Sequence, residues 1–172
     1  MTKGERISQF VAELEGAATE PAAMEPAPPG AGSADIAQHP CYRGFFRCWN
    51  EQRYYEAHDV LEHLWLKTTS GDADYFKGLI QAAGAFVHLQ KHFEHPTHHK
   101  HGRRLAPAVR LFRLAEKNLT PFGPTRYGFN VAELLQLLRQ NAEAVVHSKM
   151  THNPWSPEAA PRLELPSSTS AG

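Results

Sequence analysis

Between Asp74 and Phe93 the chain carries a helical pattern that is apolar around most of its circumference. Phe76, Leu79, Ile80, Ala82, Ala83, Phe86, Val87 and Leu89 wrap it, while Lys77, Gln81, Gly84, His88 and His92 occupy one remaining side. An apolar face this wide needs several neighbouring helices to cover it. The rest of the chain must therefore supply a bundle around a central helix. Gly78, Ala82, Ala83, Gly84 and Ala85 keep its surface narrow enough for close approach. Its most apolar run, Leu79 to Leu89, is far shorter than the roughly 20 residues a bilayer crossing takes.

The covering elements are legible from period and punctuation. Tyr42, Phe45, Phe46 and Trp49 give one apolar face from Pro40 to about Trp49, and Asn50 to Arg53 reads as the turn after it. A second helix covers about Tyr54 to Lys67 and is closed by Thr68-Thr69-Ser70-Gly71. Pro107 is tolerable only in a first turn, so a helix from Leu105 to about Leu119 starts near it and ends at Pro121-Phe122-Gly123-Pro124. Asn130 and Glu133 have capping-box spacing, flanked by Phe129 and Leu134 as a staple, and open a last helix to about His147. The expected fold is all-α, a compact multi-helical bundle of four or five core helices.

The ends differ in composition. Ile7, Phe10, Val11 and Leu14 give a short amino-terminal helix, and Gly16 to Gly32 is an Ala/Pro/Gly linker. The tail from Pro154 repeats Pro157, Pro161 and Pro166, so most of it is expected to be mobile, with Trp155 and Leu163 as anchors. The division is residues 1–37, a helical domain at 38–149, and a Pro/Ser-rich tail at 150–172. Eighteen basic and 18 acidic residues balance to a formal charge of +0, which offers no general attraction to nucleic acid or an anionic membrane. Without a secretory h-region, cytoplasmic residence is the default expectation. Two cysteines, Cys41 and Cys48, are too few for a disulfide framework and suit buried small hydrophobes.

The chemistry concentrates on Tyr54 to Trp65. On a helical wheel His58 and Glu62 sit together on the edge of the apolar face, one turn apart, where Glu62 can hold the imidazole in one tautomer. Asp59 and His63 point away and are expected in solvent, and Glu56 complements the exposed N–H groups of the first turn. Gln81 and His88 should be partly buried and satisfied, most economically opposite His58 and Glu62. The candidate polar site is thus Glu56, His58, Glu62, Gln81 and His88. Imidazole with carboxylate suits zinc, manganese or iron, so His58, Glu62, His88 and His92 are the candidate metal ligands.

Other chemistries find little support. The chain lacks a glycine-rich phosphate loop, a dinucleotide fingerprint, paired-cysteine metal spacing and the His-Glu-x-x-His zinc motif. Ser70 lies in a helix-closing turn without a nucleophile elbow, and Cys48 sits among aromatic residues that favour an inert thiol. His95, His98, His99 and His101 form an exposed inter-helix loop, while Arg103, Arg104, Arg110 and Arg113 read as a solvated face.

Tyr54-Tyr55-Glu56-Ala57-His58-Asp59-Val60-Leu61-Glu62-His63-Leu64-Trp65, followed by Gly78-Leu79-Ile80-Gln81 and His88, resembles the domain of unknown function 309 family. Glu56, His58, Glu62, Trp65, Gln81 and His88 match its pattern individually, and Asp59 keeps an acidic position. The looser resemblance, from about Phe45 through Ala144, implies a compact all-helical fold and brings no established activity. The His95 to His101 loop and the Pro-rich ends depart from the family. The main expectation is a binding or interaction module with an inter-helix His/Glu/Gln cluster and no cofactor, serving a homodimer, a protein partner or a small polar ligand. The alternative is a metal-assisted hydrolase using His58, Glu62 and His88 with a divalent transition metal.

Overall fold

A computed structural model describes residues 33–99 and 103–166. The expected amino-terminal helix, the Gly16 to Gly32 linker, His101 and the last residues of the tail lie outside the described residues. The helices are α1 (Ser33–Gln38), α2 (Pro40–Asn50), α3 (Tyr54–Trp65), α4 (Ala73–Glu94), α5 (Leu105–Leu119) and α6 (Val131–His147). From α2 onward each packs against the next, making an all-helical bundle. α4 lies between α3 and α5, as its wide apolar face requires. Tyr42, Phe46, Trp49, Tyr54, Phe86 and Phe112 are wholly buried in the core they share.

Local chemistry sets the boundaries. His39 caps α2 by accepting the Cys41 N–H on Nδ1 at 3.1 Å, with Pro40 at the first helical position. Asn130 caps α6 by accepting the Glu133 N–H at 3.0 Å. The reciprocal contact runs from the Asn130 amide to the Glu133 carboxylate at 3.5 Å, side chain to side chain. At Gly78 the helices touch: a Cβ built there would lie 2.6 Å from Leu119 Cγ, so α4 and α5 approach over hydrogen alone.

Three features were not legible in the helical period. α1, at Ser33–Gln38, follows the Gly16 to Gly32 linker where no helix was expected. Between α5 and α6, Thr125–Arg126 (β1) pairs antiparallel with Phe129–Asn130 (β2) around Tyr127 and Gly128, whose φ values of 48° and 75° match a two-residue hairpin turn. Asp72 holds this hairpin to the start of α4 by accepting from Arg126 and from the Tyr127 hydroxyl.

The third feature is the tail. Rather than hanging free, Thr151 to Pro166 forms an extended strap across the bundle. The Trp49 indole donates to the Pro161 carbonyl at 3.0 Å, and the Gln52 amide to the Pro157 carbonyl at 2.9 Å. Asn50 grips Leu163 twice, donating to its carbonyl at 2.8 Å and accepting its N–H at 2.7 Å. Trp155 and Leu163, the two anchors expected from sequence, are buried, and the Trp155 indole donates to Tyr54 Oη at 3.0 Å. Proline carbonyls remain strong acceptors although the ring removes the donor. A proline-rich segment can thus be held by side chains without a ladder.

Candidate functional site

α3 gathers three potential ligands at one place. Residues one turn apart share a helix side, which brings His58 Nδ1 within 3.8 Å of Glu62 Oε2. Asp59 joins them: its Oδ1 lies 3.1 Å from the same His58 nitrogen. Potential ligand atoms of His58, Asp59 and Glu62 all lie within 4.8 Å of one another.

Asp59 corrects the sequence expectation. It is only 8% exposed, the sole charged residue buried among those described. The wheel fixes the direction of Cβ, whereas a short carboxylate can swing back to the preceding imidazole. Burial of a carboxylate demands such a partner. His63, expected beside it in solvent, is half-buried.

Beside the three ligands, α3 and α4 bound a cleft of about 190 Å³ lined by His58, Glu62, Trp65, Lys77, Ile80 and Gln81. Gln81 is fixed from α5, since Asn118 donates to its Oε1 at 2.7 Å. Lys77, on the exposed side of α4, adds a cation to the rim.

Two residues expected here lie elsewhere. His88 follows Gln81 by seven residues, about 10 Å along the helix axis, and its Nδ1 accepts from Arg104 at 3.1 Å. A guanidinium only donates, so His88 is neutral with its proton on Nε2. Burial and then the charges of Arg104 and Arg110 lower its pKa from 6.5. His92, another turn along, has Asn153 of the strap 3.3 Å from Nδ1, and burial lowers its pKa. Asp59, rather than His88 or His92, thus joins His58 and Glu62 in the cluster that could hold a metal ion. Glu56 is exposed in the first turn, 4.0 Å from Arg53, and does not line the cleft.

The remaining candidates are inert or exposed. Burial pushes the Cys48 thiol up to about 12, and Cys41 and Cys48 are both buried. His95, His98 and His99 are exposed. Asn118 carried no recognisable signal, because its role arises only when α5 is laid against α4. Asp59 did carry one: His, Asp and Glu at positions i, i+1 and i+4.

Residues 42–97 match the sequence model of a domain of unknown function, DUF309. The protein contains a DUF309 domain, all-helical, spanning nearly all of α2 together with α3, α4 and the ligand cluster. No curated protein and no solved structure matches the chain. No helix among the described residues is long and apolar enough to cross a membrane.

Proposed function

We propose that the protein binds a divalent transition metal through His58, Asp59 and Glu62 and hydrolyses a small polar substrate held in the adjoining cleft. The observation that carries this reading is the spacing of the three ligands. Metal bonds of about 2.0–2.2 Å put neighbouring ligand atoms about 2.8–3.1 Å apart in octahedral sites and about 3.3–3.6 Å apart in tetrahedral ones. The 3.1 Å and 3.8 Å separations at His58 Nδ1 lie near these ranges. One imidazole and two carboxylates suit zinc, manganese or iron.

His58, Asp59 and Glu62 would hold the ion beside the cleft, where it would supply Lewis acidity and lower the pKa of a bound water. The chain's own contributions are then distinct. Asp59 and Glu62 would balance the charge of the ion they share with His58. Lys77 and Gln81 offer a cation and an amide to a substrate's oxygen atoms, with Trp65 and Ile80 against its apolar part. Calorimetric titration of the full chain with zinc or manganese tests the reading. One site per chain is expected, weakened by about 100-fold or more in His58→Ala, since even an outer-shell partner is worth about 10–100-fold. Heat indistinguishable between the two proteins would refute it.

A second reading, a metal-free polar network in a binding module, draws on the 3.1 Å His58 to Asp59 hydrogen bond and the fixed Gln81 amide. It requires that metal leave the folded chain unaffected and that Glu62→Gln cost stability alone.

A further inference from the structure

The strap is attached to the bundle by contacts that take no account of which chain it belongs to. Among the described residues, the hydrogen bonds of Asn153 to Pro166 beyond the strap itself go to α2, the turn after it, α3 and α4. None goes to α6, from which the strap departs. Arg43, Trp49, Asn50 and Gln52 all recognise strap main chain, including the Asn50 pincer on Leu163. The path from α6 into the strap reverses through Lys149 and Met150, consecutive non-glycine residues at φ 56° and 62°. Left-handed backbone is strained for residues with a Cβ.

We propose that this segment is exchanged between two copies of the chain, the strap of each docking on the α2–α3 face of the other. Extension of Lys149 and Met150 releases the left-handed conformation and gives up the bonds that span the hinge: Lys149 N–H to the Val146 carbonyl, Met150 N–H to the Val145 carbonyl, and those of Thr151 and His152 to Ser148. The bonds of Asn153 to Pro166 with α2, the turn after it, α3 and α4 are remade in trans. The closed monomer and the exchanged dimer thus differ at the hinge and in association entropy, so the dimer rises with concentration. A second copy is the occupant because it carries the matching register: Trp155 on Tyr54, Pro161 on Trp49 and Leu163 on Asn50. Reciprocal docking closes with two-fold symmetry and leaves no open-ended assembly.

Disulfide trapping in the full chain tests this. Gln52→Cys is made in one copy and Pro157→Cys in another, at positions joined in the structure by a 2.9 Å peripheral hydrogen bond; the native cysteines are buried. The two proteins are mixed, refolded at high concentration and oxidised. The expected result is a crosslinked heterodimer of Gln52→Cys with Pro157→Cys, exceeding either homodimer crosslink. Deleting Lys149 and Met150 should enrich it by about tenfold or more, and glycine at both positions should deplete it, as the hinge strain requires. A crosslink that forms only within one chain carrying both cysteines would overturn the proposal. So would light-scattering masses that stay monomeric in the hinge-deleted protein while its circular dichroism remains helical.

Discussion

At the scale of single residues, environment assigns roles that residue type alone leaves open. Two histidines on neighbouring helices differ in what faces them: His58 faces two carboxylates, whereas His88 faces a guanidinium. The His88 pKa is lowered in the folded chain, so below about 6.5 the unfolded chain binds the extra proton more readily. Its contribution to stability is complete above 6.5 and is lost as pH falls through the lowered folded value. The urea midpoint should consequently drop between pH 7.5 and 5.5, and drop less in His88→Gln. His92 acts with the same sign, so the dependence shrinks without vanishing. Equal pH dependence in both proteins would show that Arg104 does not hold His88 neutral. The His58 and Glu62 pair was legible because four-residue spacing is a property of one helix. The Arg104 to His88 contact was not, since it joins α4 to a residue across an intervening loop.

At the scale of elements, caps and prolines made the helices readable. Leu105–Leu119 has the bounds its first-turn proline and closing Pro-Phe-Gly-Pro imply, and α6 begins after its Asn130 cap. The strap was hidden for the opposite reason. Its prolines remove periodicity, and the donors that hold it belong to α2 and the following turn, more than a hundred residues earlier. Small residues on α4 announced close packing, and Gly78 realises it. Gly78→Ala gains roughly 1 kcal/mol of helix propensity. It also forces a methyl against Leu119 Cγ and Asn118 Cβ, an overpacking cost of about 1–3 kcal/mol. The expected net effect is a loss of up to about 2 kcal/mol, seen as a lower denaturant midpoint at unchanged slope. A gain in stability would mean that α5 moves aside freely.

At the scale of the whole molecule, sequential helix packing places the cleft between α3 and α4 while α5 reaches in only through Asn118. The ligands share one helix, so the cluster survives small shifts between helices; the cleft that would hold a substrate does not. This division explains why the candidate site was partly legible. His58 and Glu62 follow from one segment, but the register that excludes His88 depends on the assembled bundle. The same assembly leaves His95, His98 and His99 exposed as a competing place for metal to bind. Anomalous diffraction across the zinc edge, from crystals of the full chain grown with zinc, separates the two locations. The expected map has a peak within about 2.0–2.2 Å of His58 Nδ1 and of carboxylate oxygens from Asp59 and Glu62. A map with no peak on α3, or with zinc confined to the His95 to His99 segment, would contradict the metal site.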